Sequence, residues 1–180
     1  MRLKDIQSGS GAVVEVFIDS NIFTYHLSGH SVFGEACRNF LKKVERGDYE
    51  SYVNEVVLSE VSLNFIKSEL FRLRGIKPQR VVREIKREPS RLLGLVNFDA
   101  VTKLFENLRV EVLPVGFKCE ELARFIRDYS LLPNDALHLA TMKKYGIRNI
   151  ATNDSDFEKG GDKSLETMIK LSLNAFSVLT

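Results

Sequence analysis

The chain has 180 residues, 44% of them hydrophobic and 28% charged, with a formal net charge of +2 at pH 7. This size and balance exclude a disordered or disulfide-dependent protein and favour one globular domain. No apolar run approaches the roughly 20 residues that span a bilayer, and the N-terminus carries no secretion signal. The two cysteines, Cys37 and Cys119, lack a zinc-binding spacing, so we predict reduced, mostly buried thiols in a cytoplasmic protein without membrane contact.

The first half of the chain alternates strand and helix patterns. Ser and Gly in residues 1–12 predict a flexible tail, and the β-branched apolar run that follows predicts a buried strand. Apolar residues at helical spacing predict the helices that follow, and Gly47 ends the helix predicted at 32–46. In chain order these predicted elements are a strand at 13–18, helices at 20–27 and 32–46, a strand at 49–53 and a helix at 55–73.

The second half continues the alternation, and Pro78, Ser90 and Asn134 suit the first positions or caps of helices. Its predicted elements are helices at 78–87 and 91–108, a strand at 110–115, helices at 117–129 and 135–145, a strand at 149–152, a helix at 165–173 and a strand at 176–179. Strands that alternate with helices predict a three-layer α/β/α fold around a mostly parallel sheet. We assign residues 13–180 to a single domain, with an inserted helical arm at about 67–108.

Basic residues concentrate in this arm. Nine basic and three acidic residues lie between Lys67 and Arg91, so this stretch carries +6 and the rest of the chain −4. Three interpretations remain open: a solvated helix face, a surface that contacts RNA, or a dimer or partner interface. Under the second interpretation, the candidate RNA-binding residues are Arg80, Arg83, Lys86 and Arg87.

Acidic residues follow the predicted strands. Asp19 ends the first strand in FIDSN, Glu60 lies in the helix after the second, and Asp135 opens a helix in NDALHLA. Asp154 and Asp156 come directly after the strand at 149–152. Each acid alone fits a helix cap, a solvated helix or a turn. Because sites in open α/β sheets form beyond the carboxyl ends of the strands, their shared location predicts one acidic site.

Clustered carboxylates need a counter-charge. Two carboxylates about 4 Å apart repel by roughly 4 kcal/mol at an effective dielectric near 20. Either some of them are protonated or a cation lies among them. Oxygen ligands favour a hard ion, so we predict Mg²⁺ or Mn²⁺. Such an ion can activate water for in-line attack on a phosphodiester, and a second ion can stabilise the leaving oxygen.

The ordered motifs FIDSN, SEVS, NDALHLA and TNDSDF resemble the PIN-domain family of metal-dependent ribonucleases, in particular its VapC-like toxin type and archaeal relatives. The resemblance runs from about residue 14 to residue 157. It implies a Rossmann-like PIN fold and endonucleolytic cleavage of RNA with Mg²⁺ or Mn²⁺. The matching catalytic and metal-binding positions are Asp19, Glu60, Asp135 and Asp154, with Asp156 as a fifth metal-binding acid.

The same resemblance extends to supporting residues and partners. Asn21 and Thr152 match polar positions that orient the acids through hydrogen bonds. Family membership implies an antitoxin partner and homodimer formation for many members. The helical arm is longer than in the usual small toxin.

His138 follows Asp135 by one helical turn, but an all-oxygen site does not require it, so we interpret it as a structural or surface histidine. We expect His26 and His30 to be exposed.

Two other functions fit parts of the pattern. A phosphatase would use Asp19 as its nucleophile, but such enzymes need a second Asp two residues later, where this chain has Asn21. A degenerate PIN module that acts as a non-enzymatic interaction domain would lack metal binding. The complete acid set argues against that module, because clustered carboxylates that repel one another give a scaffold no advantage.

Overall fold

The computed structural model describes residues 13–155, residue 157 and the backbone of 169–171. The predicted tail at 1–12, the predicted strand at 176–179 and Asp156 lie outside the described residues, so they remain predictions. The described strands are β1 Val14–Ile18, β2 Tyr49–Asn54, β3 Val110–Leu113, β4 Asn149–Ala151 and β5 Ile169–Leu171. The described helices are α1 Ser20–Ser28, α2 Gly34–Arg46, α3 Glu55–Arg74, α4 Pro78–Arg87, α5 Pro89–Leu93, α6 Asp99–Asn107, α7 Cys119–Tyr129 and α8 Pro133–Tyr145.

The sheet has the strand order β3-β2-β1-β4-β5, and every described pairing is parallel. The central strand β1 pairs with β2 on one side, with Phe17 opposite Tyr52, and with β4 on the other, with Ile18 opposite Ala151. The chain therefore leaves β1 towards one edge and returns beside it as β4. A crevice forms at such a reversal, beyond the carboxyl ends of the strands. The predicted α/β class with a parallel sheet is confirmed.

Burial explains why β1 forms the centre. Its residues Val16, Phe17 and Ile18 are fully buried, as expected for a parallel strand covered on both faces. At the end of β2, the buried Asn54 caps α3, because its Oδ1 accepts the backbone N–H of Val57 at 3.1 Å. Its Nδ2 also donates to the buried Thr141 hydroxyl of α8 at 3.1 Å. This pair of bonds fixes the start of α3 relative to α8.

The prediction of one continuous helix at 91–108 is wrong in the middle of that segment. The structure has two helices, α5 and α6, separated by a turn. A Cβ at Gly94 would lie 2.8 Å from the Ser90 carbonyl oxygen, so the turn closes tightly there. Val96 is buried by this turn, and the Asn97 side chain accepts the Asp99 backbone N–H at 2.8 Å. A short polar side chain that bonds the backbone locally competes with a continuous helix.

The predicted helix at 165–173 is also contradicted, because residues 169–171 form β5 and pair in parallel with β4. Short apolar runs fit either a strand or a helix, and here pairing with the sheet decides between them.

At α8, Pro133 occupies the first turn and Leu132 is the cap residue, so Asn134 is not the predicted cap.

Three further burial predictions differ from the structure. Cys37 is buried as predicted, whereas Cys119 is exposed. His26 and His30 are half-buried rather than exposed. The His30 ring stacks on Phe33 with centroids 5.3 Å apart, which accounts for its partial burial.

Among the described helices, none is both long and apolar enough to cross a bilayer.

Candidate active site

Asp19 lies at the carboxyl end of β1, at the cap position of α1, but its side chain makes no capping hydrogen bond. Its Oδ2 instead accepts hydrogen bonds from the Asn21 side-chain amide at 2.6 Å and from the Thr152 hydroxyl at 2.5 Å. Asp19 is only 5% exposed, and burial raises the pKa of its carboxyl group, although the Thr152 bond opposes this. The carboxylate is therefore held at the sheet edge at an energetic cost, which a simple cap does not require.

Asn21 and Thr152 also bind each other and the loop after β4. The Asn21 amide donates to the Thr152 hydroxyl at 3.0 Å, and its carbonyl oxygen accepts the Asn153 backbone N–H at 3.2 Å. The Thr152 hydroxyl oxygen accepts the Asp154 backbone N–H at 2.9 Å. These bonds join the ends of β1 and β4 and bring the Asp154 segment next to Asp19.

Glu60 reaches the same edge from α3, where two residues of α8 hold its carboxylate. Its Oε1 accepts a hydrogen bond from the Asn134 side chain at 2.6 Å, and its Oε2 lies 3.3 Å from His138 Nε2. Partial burial raises the pKa of Glu60, but the bonds from His138 and Asn134 outweigh it and lower the pKa overall. Glu60 is therefore stabilised in its charged form.

Asp135 lies in the first turn of α8 and is half-buried. The pKa of its carboxyl group is raised to about 6, mainly by burial; His138 opposes the shift, and the negative charges of Asp19, Asp154 and Glu60 add to it. All three carboxylates are near enough to act on Asp135 electrostatically. Acids from four separate segments of the chain therefore meet at one place.

Part of this group, Asp19 and Glu60 with the neighbouring His138, is compact enough to hold a divalent cation. One ligand atom each from Asp19, Glu60 and His138 lies within 4.8 Å of the others. Carboxylates that repel one another, with the pKa of Asp135 raised, are stabilised by a positive ion among them. Hard divalent ions such as Mg²⁺ and Mn²⁺ match the carboxylate oxygens, whereas His138 Nε2 is engaged in the hydrogen bond with Glu60. Asp156, predicted as a fifth acid, lies outside the described residues.

Two residues of this site were not predicted from the sequence, Asn134 and His138. His138 was interpreted as structural or surface; it is fully buried against Phe17, with ring centroids 5.5 Å apart, and faces Glu60. Its spacing of three residues from Asp135 places both side chains on one helix face, and this spacing was the only sequence feature that pointed to the site. Asn134 gave no such signal, because its partner Glu60 is 74 positions away.

The basic arm stands apart from this site. Arg80, Arg83 and Arg87 surround Glu84 at 3.6, 3.2 and 3.5 Å, and all three arginines are exposed. Lys86 is exposed on the same helix, α4. Within the described part of the chain, these basic side chains have no ion pair with the acids of the site.

Comparison with known proteins places the chain in a family. Residues 16–163 match the PIN domain. Ribonuclease VapC2 of Methanocaldococcus jannaschii is 32% identical over 81% of this chain and 88% of its own length, and Ribonuclease VapC6 of the same organism is 29% identical over 80% and 91%. The crystal structure of VapBC2 from Rickettsia felis, bound to a DNA fragment from the promoter, superposes with a TM-score of 0.48 and 15% identity over 87% of this chain and 97% of that chain. The family match and the identity to VapC2 confirm the predicted resemblance: the chain belongs to the PIN-domain family, among the VapC-like ribonucleases.

Proposed function

We propose that this protein is a metal-dependent endoribonuclease that hydrolyses RNA phosphodiester bonds at Asp19, Glu60, Asp135 and Asp154. The observation that carries the proposal is the convergence of these acids at the carboxyl edge of the sheet, where burial and then their charges raise the pKa of Asp135. The names of the two archaeal relatives, both ribonucleases, support RNA as the substrate class.

The same four carboxylates, with Asp156 as a fifth, would hold the proposed Mg²⁺ or Mn²⁺. When bound, a divalent ion supplies a Lewis acid that polarises a phosphoryl oxygen and lowers the pKa of water. The raised pKa of Asp135 belongs to the metal-free site, and a bound cation would lower it, so Asp135 would be charged as a ligand. The chain's own acids thus provide ion binding.

Four polar residues would act as positioning residues. Asn21 and Thr152 fix one oxygen of Asp19, and Asn134 and His138 each face one oxygen of Glu60. Hydrogen bonds of this kind fix the direction of metal-binding carboxylates and tune their basicity. We therefore assign all four to orienting the acids.

The exposed basic residues of α4 are proposed to contact the RNA backbone, since basic side chains bind phosphates without sequence preference. The residues concerned are Arg80, Arg83, Lys86 and Arg87.

We also propose that the protein is the cytoplasmic toxin of a toxin–antitoxin pair and forms a homodimer. Co-purification with the product of a neighbouring small gene tests the first partner, and light scattering tests the second.

The decisive experiment measures cleavage of a long RNA with Mg²⁺ or Mn²⁺, with EDTA, and with Asp135→Asn. We expect cleavage only by the wild type with metal. Asp128→Asn, a matched control at an exposed aspartate of α7, should cut normally. Full cleavage in EDTA or by Asp135→Asn would overturn the proposal.

The alternative functions receive less support. A phosphatase needs a general acid at position 21, but the Asn21 amide donates a hydrogen bond to Asp19 and supplies no acidic proton. Trapping of beryllofluoride on Asp19 would favour that enzyme class. Calorimetry without any metal binding would favour a non-enzymatic interaction module.

A further inference from the structure

A cleft of about 560 Å³ opens beside the acidic site. It is lined by Glu55, Ser59 and Glu60 of α3, Val115 and Gly116 of the loop after β3, and Asn134 of α8. Its volume falls within the range of about 300–1,000 Å³ that small-molecule sites occupy. Because Glu60 and Asn134 belong to both, the cleft continues directly from the site where the proposed cleavage takes place.

Glu55 gives this cleft an unused hydrogen-bond acceptor. Its Oε2 accepts the Val115 backbone N–H at 3.0 Å, which fixes the side chain against the loop. Its Oε1 has no hydrogen-bond or ion-pair partner among the residues that the structure describes. A carboxylate wall repels phosphate and favours a neutral group that donates hydrogen bonds.

A cation lies at the rim of the cleft, next to Gly116. Gly116 adopts a left-handed conformation at φ +54°, and a Cβ there would approach the Lys144 ammonium to 3.4 Å. Lys144 is exposed and lies 5.3 Å from the centre of the Phe117 ring. A cation at the loop and the exposed Glu55 on the cleft wall together suit a nucleotide whose phosphate lies near Lys144 and whose base contacts Glu55.

We propose, on the basis of the endoribonuclease activity proposed above, that this cleft binds the base of a nucleotide next to the scissile phosphate and selects guanine through Glu55. Guanine presents two adjacent donors, N1–H and N2–H, on its Watson–Crick edge. Adenine and cytosine present one amino group beside an acceptor, and uracil flanks its single N–H with two carbonyl oxygens. Proteins read unpaired RNA bases through these edges, so a free carboxylate oxygen ranks guanine first and uracil last.

The test uses short RNAs built around a mapped cut, identical except for one neighbouring position that carries guanosine, inosine, adenosine, cytidine or uridine. Inosine lacks only the N2 amino group of guanosine. We expect kcat/KM to be about tenfold higher for guanosine than for inosine, the scale of one hydrogen bond to a charged group. In EDTA, where no cleavage is expected, fluorescence anisotropy should show the same order of affinities.

Two variants link the preference to the cleft. Glu55→Gln keeps an oxygen for the Val115 N–H but replaces the free acceptor with a donor, so the guanosine-to-inosine ratio should fall to near one with an unchanged melting temperature. Ser59→Leu, at an exposed position, should narrow the cleft and abolish the preference independently. Glu35→Gln, an exposed acid in the first turn of α2, is the matched control and should keep the ratio.

The outcomes separate this proposal from the one on which it rests. Metal-dependent cleavage with equal rates for guanosine and inosine would overturn the guanine site and leave the endoribonuclease proposal intact. An unchanged ratio in Glu55→Gln would overturn it as well, whatever the result for Ser59→Leu. Failure of the wild type to cut any RNA, with Asp135→Asn behaving identically, would instead overturn the proposed function.

Discussion

The acidic site and the basic helix α4 both gather like charges, but they differ in burial. Asp19 is nearly inaccessible and Asp135 half-buried, so burial and mutual repulsion raise the pKa of both groups. On α4, the arginines are exposed, share Glu84 and are screened by solvent. Equal crowding of charge therefore has different consequences: it destabilises the metal-free site, whereas on α4 it leaves folding almost unaffected.

The largest expected effect comes from Asp19→Asn. The variant removes a proposed ligand, so we expect cleavage to fall by more than about 100-fold, beyond the effect of losing a supporting contact. Because the buried carboxylate of Asp19 has a raised pKa, its removal should raise the melting temperature in EDTA. Asp48→Asn, at an exposed aspartate, should change neither value. A lower melting temperature for Asp19→Asn in EDTA would contradict the cost assigned to burial.

Asn54→Ala should have the next largest effect. It removes the α3 cap and the bond to Thr141, and two such losses together cost about 2 kcal/mol of the free energy of unfolding. Urea denaturation measures this value. Asn107→Ala, at the exposed end of α6, is the control. A loss no larger than in that control would show that the contact between α3 and α8 does not depend on Asn54.

Asn134→Ala should act on metal binding rather than folding. Loss of its bond to Glu60 leaves one carboxylate oxygen free to turn, so we expect the metal affinity to fall by about tenfold. Calorimetry measures the affinity, and the melting temperature in EDTA should stay constant because Asn134 is exposed. Unchanged metal affinity would remove Asn134 from the positioning residues.

The smallest effect is expected for Glu84→Gln on α4. The three arginine partners of Glu84 are exposed, and ion pairs with exposed partners contribute little to stability, so the melting temperature should not change measurably. With Glu84 neutral, the arginines gain positive potential, and RNA binding in EDTA should strengthen slightly at low salt. Tighter binding that persists at high salt would argue against a phosphate contact.

The fold and the acids were predictable because their signals are local. The apolar run before Asp19 and the strand pattern before Asp154 are each legible within a few residues, and the carboxyl-edge rule for parallel sheets brings them together. Two features were missed because they depend on the folded structure. The break in the helix predicted at 91–108 accompanies the burial of Val96, and β5 is defined by its pairing with β4. His138 and Asn134 acquire their roles from Glu60, more than 70 positions away, so spacing alone could not assign them.

The hydrogen bond from Thr152 to Asp19 spans 133 positions of the sequence. During synthesis, Asp19 therefore leaves the ribosome well before Thr152 does. The carboxylate cannot be fixed in place by this bond until β4 has been made and has paired with β1. Assembly of the site is thus tied to closure of the sheet rather than to formation of β1 alone.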